Sequence, residues 1–180
     1  MPRLFVGLEV AESWRLQLGL MRGGLENVRW IDPADFHVTL CFIGDVDRHQ
    51  ATALMHRLAT LSAPPVLLEA GDLDTFGTKK PHALFLHVAQ TAPLLALHRQ
   101  VCRLADPVIM GDRRRHFVPH VTLARFRRVD PQILAHYLAH QPRPMLPGIR
   151  VNRLAVFSAK DSVGGGPYRL EARFPLDQPD

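Results

Sequence analysis

The tetrapeptide His-Val-Thr-Leu stands twice in this chain, as His37-Val38-Thr39-Leu40 and as His120-Val121-Thr122-Leu123. Imidazole has the ordinary pKa nearest neutrality, so it can take or give a proton at small cost. Two imidazoles facing one phosphate can divide that labour. One, neutral, removes a proton from water; the other, protonated, hands a proton to the departing oxygen. Each such transfer contributes about 10²–10⁴-fold. Thr39 and Thr122 can donate hydroxyl hydrogen bonds to the non-bridging oxygens, and a nearby arginine can hold the developing charge. A lone His-x-Thr in a strand is ordinarily a half-buried structural histidine. Two identical copies, 83 residues apart in a chain of 180, point to two halves facing each other.

Both tetrapeptides lie in apolar, β-branched surroundings, so both are expected in strands. Side chains alternate along a strand, which sends His and Thr to one face and Val and Leu to the other. Around them the pattern predicts a strand over 3–10 and a helix capped by Ser13, running to about Arg22 and stopped by Gly23-Gly24. A short strand over 28–31 leads through Asp32-Pro33 to a strand over 36–43, ended by Gly44. A helix over 48–61 follows, and Pro64-Pro65 breaks it. Residues 66–76 read as one strand or a bent pair, and 82–89 as another strand. A helix is expected over 92–105. Gly111 to Arg115 reads as an exposed loop, and 116–126 holds the second motif. Pro131 opens a helix to about His140. Strands over 149–159 and 168–174 complete the chain, with Gly164-Gly165-Gly166 between them. Strand, helix, His-x-Thr strand, helix, strand thus recurs in each half. That favours an α+β fold of two mainly antiparallel sheets with outer helices over a doubly wound sheet. No GxGxxG or P-loop supports a nucleotide-cofactor fold.

Apolar residues make up 47% of the chain, enough for a buried core, and the net charge is +5, carried mostly by arginine. A basic balance suits an anionic partner such as nucleic acid or a nucleotide. Cys41 and Cys102 read as buried, reduced thiols, and with no CxxC pair a zinc knuckle is not expected. Glu9 and Glu12 interrupt the N-terminus before a signal-peptide core could form, and no apolar run reaches the length of a membrane span. A cytoplasmic protein with no membrane contact is expected, and a monomer, since no oligomerisation signal stands out.

The remaining candidates are weaker. His136 and His140 are four apart in a helix but lack the glutamate of a zinc-protease motif, and read as surface residues. His49, His56 and His98 also read as helix-surface residues. His82 and His87 project from opposite faces of one strand. Arg113-Arg114-Arg115, Arg127 and Arg128 would form a solvated rim or a basic border to the site. Arg125 lies five residues past His120, on the opposite pleat face if the strand is straight. Only a bulge or bend would bring it to the phosphate.

The flanks of the two motifs make the chain similar to a known family. Arg3-Leu4-Phe5-Val6-Gly7-Leu8, Val28-Arg29-Trp30-Ile31, Phe36 to Gly44, Phe117 to Arg125, Gly166-Pro167-Tyr168 and Phe174-Pro175-Leu176 together resemble the bacterial RNA 2′,3′-cyclic phosphodiesterases, also called 2′-5′ RNA ligases, of the 2H phosphoesterase superfamily. The resemblance implies a single two-lobed, pseudo-symmetric α+β unit spanning residues 1–180, with a central cleft. It implies that His37 is the proton donor to the leaving ribose oxygen and His120 the proton acceptor. Thr39, Thr122 and Arg125 would bind the phosphate. The substrate would be RNA or a nucleotide ending in a 2′,3′-cyclic phosphate, the product a 2′-phosphomonoester, with neither metal nor organic cofactor required. Where the family often carries Pro-Arg and then a Trp, this chain has Pro81-His82 and Phe85, which bears on substrate length. Two other readings remain open: ligation of RNA halves by the same chemistry, with a ribose hydroxyl in place of water, and a non-catalytic RNA-binding module.

Overall fold

The structure is a computed structural model that describes residues 3–77, 79–109, 116–142, 144–159 and 165–176. In chain order the elements are β1 (Arg3–Glu9), α1 (Glu12–Gly19), β2 (Val28–Trp30), a 3₁₀ turn (Pro33–Asp35), β3 (His37–Asp45), α2 (Arg48–Leu58), β4 (Val66–Leu68), β5 (Ala70–Phe76), β6 (Ala83–Val88), α3 (Ala92–Ala105), β7 (His120–Phe126), α4 (Pro131–His140), β8 (Ile149–Val151), β9 (Arg153–Ser158) and β10 (Arg169–Pro175).

The main sheet runs β10-β9-β1-β3-β7-β6-β5, with β2 also on β7, while β4 and β8 form a separate pair. Every pairing is antiparallel. The path has a narrow waist, because β3 and β7 are bridged at Val38 and Val121. On one side of the waist lies a first lobe of β10, β9, β1 and β3. On the other lies a second lobe of β7, β6, β5 and β2. The α+β, two-lobed antiparallel architecture expected from the sequence is therefore present, and the two lobes share one strand path.

Local chemistry explains most element boundaries. Asp47 and Gln50 close a reciprocal capping box on α2, satisfying donors that the first helical turn would leave unpaired. Thr91 caps α3 and Asp130 caps α4, each followed by a proline in the first turn, where its missing N–H costs nothing. Both helices run over the residues expected. The start of α1 differs. Ala11 is its N-cap, without a side-chain bond, and Ser13 lies inside the helix. Burial of Trp14, whose indole N–H donates to the Pro147 carbonyl at 2.8 Å, anchors this turn instead. Helix α2 ends at Leu58, ahead of Pro64-Pro65. The segment 66–76 is the bent pair, and 149–159 is split at Asn152. Gly44 does not end its strand. At a φ of +91° it carries β3 on to Asp45.

The core fills the face of the main sheet that carries Val38 and Val121. Val6, Leu8, Leu84, Leu86, Leu123, Leu154 and Val156 are buried there with Trp14, Leu54, Leu58, Leu94, Leu97 and Val101 from the helices. Each such side chain stabilises the fold by about 1.5–3 kcal/mol. Phe5, Ala155 and Phe157 form a second, smaller apolar cluster, against which Tyr168 and Leu170 pack.

Candidate active site

The waist of the sheet organises the two motifs. Val38 lies opposite Val121 in an antiparallel pair, and both are fully buried. Residues on either side of such a pair point to the other face. His37, Thr39, His120 and Thr122 therefore share one face, and all four are half-buried. The two copies are related by a local two-fold arrangement, each running antiparallel to the other.

Both imidazoles are held in the same way. His37 Nδ1–H donates to the Asp35 carbonyl at 2.7 Å, and His120 Nδ1–H donates to the Val118 carbonyl at 2.6 Å. A carbonyl can only accept, so the proton of each neutral ring sits on Nδ1 and Nε2 carries a lone pair. In each case the acceptor lies two residues before the histidine. The Thr39 hydroxyl lies 3.1 Å from His37 Nε2 and donates to it. Around His37 stand the rings of Phe5, Tyr168 and Phe157, at 4.8, 5.2 and 5.5 Å between centroids. Around His120 stand Phe76 and Phe85, at 4.7 and 5.3 Å, both edge-on.

Arg125 reaches this face through a bulge. Phe85 pairs with Thr122, but the preceding Leu84 pairs with Ala124, so β7 carries one extra residue, Leu123. The parity flips, and Arg125, paired with Ala83, rejoins the face of Thr122 and His120. A straight strand would have turned it away. The same irregularity follows the first motif: Gly7 pairs with Thr39 and Val6 with Cys41, leaving Leu40 as the extra residue. The bulge carbonyl of Leu40 accepts the Nδ1–H of His98 at 2.8 Å. His98 is thus no surface residue. It is half-buried and stacks on Phe117 with ring centroids 3.9 Å apart. Cys102, only partly buried, has its sulfur 3.6 Å from His98 Nδ1. By the shared register, Phe42 occupies in the first half the place of Arg125 in the second, and it is 64% exposed.

Electrostatics tie the groups together. Burial pushes the His37 pKa down to about 4, and the positive charges of His120 and Arg125 push the same way, against the pull of the Asp35 carbonyl. His120 is also lowered, first by burial and then by the charges of Arg125 and His87, with the Val118 carbonyl opposing. In the free protein both imidazoles are therefore bases at neutral pH. Arg125 Nε is buried and has no hydrogen-bond partner among the described residues.

Several neighbours are given no role at the site by the sequence. Arg29 lies directly across from Arg125 on β2 and donates to the Gly166 carbonyl. Asp35 accepts the Tyr168 N–H at 3.0 Å, which ties the C-terminal segment to the turn that orients His37. His87 pairs with His120 across β6 and β7, and its Nε2 lies 3.4 Å from Asp74 Oδ2. The alternation of β6 could have placed His87 beside Phe85, but only the register places it beside His120. His82 instead stacks on Phe76 at 6.4 Å. Arg127 and Arg128 are exposed beyond the end of β7. Arg113-Arg114-Arg115 lies outside the described residues. The His140 ring N–H donates to the His136 carbonyl at 2.8 Å, and the two rings stack on α4. Among the described residues no helix is long and apolar enough to cross a membrane.

Two lobes, each presenting a His-x-Thr strand to a shared face, define the 2H phosphoesterase class. The chain belongs to the 2′-5′ RNA ligase superfamily, whose family model matches residues 21–162. It is 30% identical to the RNA 2′,3′-cyclic phosphodiesterase of Aquifex aeolicus, over 97% of each chain. It is 28% identical to the protein of that name from Bacillus subtilis, over 69% of this chain and 71% of the other. Its fold is similar to that of E. coli LigT solved with 3′-AMP, with a TM-score of 0.80, 20% identity, and coverage of 99% of this chain and 100% of that one.

Proposed function

We propose that this protein opens the 2′,3′-cyclic phosphate at the 3′ end of RNA and leaves a 2′-phosphomonoester, with His37 and His120 as acid and base. The observation that carries the reading is the Val38–Val121 bridge, which sets both Nε2 atoms and both threonine hydroxyls on one face. The relatives' names supply the substrate class.

The chemistry follows from the tautomers. His120 Nε2 accepts a proton from water as the water oxygen bonds to phosphorus. The P–O3′ bond breaks on the opposite side, and the leaving oxygen takes a proton from His37 Nε2. His37 is neutral in the free protein, so it must gain that proton with the substrate. The anionic phosphate supplies the charge that makes protonation favourable, offsetting the repulsion from Arg125 and His120. The Thr39 hydroxyl turns from His37 to a phosphate oxygen, Thr122 does the same from the other strand, and Arg125 offers its unused Nε–H. The division of roles, His37 as donor and His120 as acceptor, follows the family resemblance. Every proton in this scheme moves through the two imidazoles, so turnover is expected to survive EDTA.

The test is turnover of a 2′,3′-cyclic mononucleotide with identification of the phosphomonoester formed. His37→Ala and His120→Ala should each lower kcat by about 10²–10⁴-fold or more while the circular dichroism spectrum stays unchanged. Full activity in either variant would overturn the assignment. Binding without turnover in the parent protein would favour an RNA-binding module, and ligated product from cut RNA halves in excess of hydrolysis would favour the ligase reading.

A further inference from the structure

The face of the first lobe continues beyond His37 into a basic trough. Glu9 pairs with His37 across β1 and β3, so its side chain emerges on the same face. There it accepts two hydrogen bonds from Arg173, at 2.7 and 2.9 Å, while Arg15 lies 4.0 Å away. Together with Arg150 and Arg153 these side chains line a cavity of about 260 Å³. It shares Asn152, Arg153 and Arg173 with a neighbouring cavity of about 490 Å³ that ends at Pro175 and Leu176. Four guanidiniums thus line the first cavity with a single carboxylate, and outside that lining Glu12 lies 3.9 Å from Arg15. Arg15 Nε is buried and makes no hydrogen bond among the described residues. Arg150 and Arg153 are exposed. Gathering like charges around a concave surface is unfavourable unless an anion shares it, and such a concavity raises the local concentration of anions.

The place of the trough gives the anion an identity. Strands lie about 4.8 Å apart, so β9 and β10 stand roughly 10 and 14 Å from β3. In the proposed reaction the leaving 3′-oxygen, and hence the ribose, lies on the His37 side. An RNA that ends in a cyclic phosphate has further chain only beyond the 5′ side of that ribose. A course for its next backbone phosphates over the first lobe, away from His120, brings them to the trough. We infer that the trough formed by Arg15, Arg150, Arg153 and Arg173 is a subsite for the backbone phosphates upstream of the cyclic end. It makes an oligonucleotide a better substrate than a mononucleotide. Arg173 is fixed by Glu9 and forms the wall; Arg150 and Arg153 are the side chains open to the RNA. This inference rests on the reaction proposed above.

The test compares a 2′,3′-cyclic mononucleotide with a trinucleotide bearing the same cyclic end, in the parent protein and in an Arg150→Gln/Arg153→Gln variant. The parent should show a KM for the trinucleotide at least several-fold lower. The variant should lose most of that advantage, with mononucleotide kcat and KM unchanged. An equal KM for the two substrates in the parent, or an undiminished advantage in the variant, overturns the subsite. If the parent turns over neither substrate, the proposed reaction fails, and the subsite is then judged by anisotropy titration with a trinucleotide carrying a 2′-phosphate. The slope of log affinity against log salt should fall in the variant by about 0.7 for each phosphate that the protein no longer neutralises. An unchanged slope overturns the subsite on its own terms.

Discussion

The imidazole of His37 is neutral in the free protein, held there chiefly by burial and also by the charge of Arg125. If His37 is the proton donor, as proposed, a donor that is neutral at rest must be loaded by its substrate, and this has two measurable consequences. Inorganic phosphate or a nucleotide 2′-monophosphate should bind with proton uptake, visible as a dependence of calorimetric heat on the buffer's ionisation enthalpy. Affinity should rise as the pH falls from 8 towards 6. An affinity independent of pH would contradict the scheme. The second consequence concerns folding. The unfolded chain protonates His37 near 6.5, the folded chain only near 4. Between these values the unfolded state binds more protons, so His37 lowers stability as the pH falls through that window. Urea titrations of the parent and of His37→Asn should converge there as the pH drops. At Arg125, Arg125→Lys keeps the charge but loses the planar fork. A charge-assisted hydrogen bond is worth about 1.5–3 kcal/mol, so kcat/KM should drop by roughly 10- to 100-fold.

At the scale of elements, the bulges decide what the strands present. Alternation alone put His37 with Thr39 and His120 with Thr122. It could not put Arg125 with them, because an extra residue leaves no local mark beyond two adjacent apolar side chains, Leu123-Ala124, which read equally well as core. Helices α3 and α4 were legible to the residue because Thr91 with Pro93, and Asp130 with Pro131, combine a cap with a fixed φ. Helix α1 was not, since Ser13 is a good cap in type while the burial of Trp14 goes with a start two residues earlier, at the Ala11 cap. His98 was misplaced for a related reason. Helical periodicity cannot show that a ring facing outward from α3 meets the open carbonyl of Leu40. His98→Leu removes the imidazole donor and leaves that carbonyl only the weaker Cys102 thiol, at 3.9 Å, so stability should fall by about 0.5–1.5 kcal/mol in denaturant titration. Activity should fall too, as the bulge after Thr39 relaxes; a variant equal to the parent in both would show that the bulge holds itself.

Across the whole molecule, the repeated tetrapeptide foretold two matching halves but not how the chain threads them. Strand β2 comes from the N-terminal half yet pairs with β7, and β9 and β10 return from the C-terminal end to flank β1. Such long-range pairings are invisible to local pattern. The halves meet at Val38 and Val121, both buried. Val38→Thr matches the shape but buries a hydroxyl, at a cost of about 1–3 kcal/mol where no partner is found. Because that position is the join between the lobes, turnover should fall along with the urea midpoint; unchanged kinetics in a destabilised variant would mean that the lobes keep their alignment by other means.

The antiparallel meeting of two identical tetrapeptides has one more consequence. A cleft built from equivalent donors on both sides has almost no built-in arrow. In the proposed chemistry, whichever imidazole acts as base when a bond is cut acts as acid when it is made. The balance between cutting and joining is then a property of what fills the nucleophile's place, water at molar concentration or a tethered ribose hydroxyl. What polarity the protein imposes comes from the flanks where the copies part company, Phe36 against Pro119, Cys41 against Ala124 and, with the largest change in charge, Phe42 against Arg125.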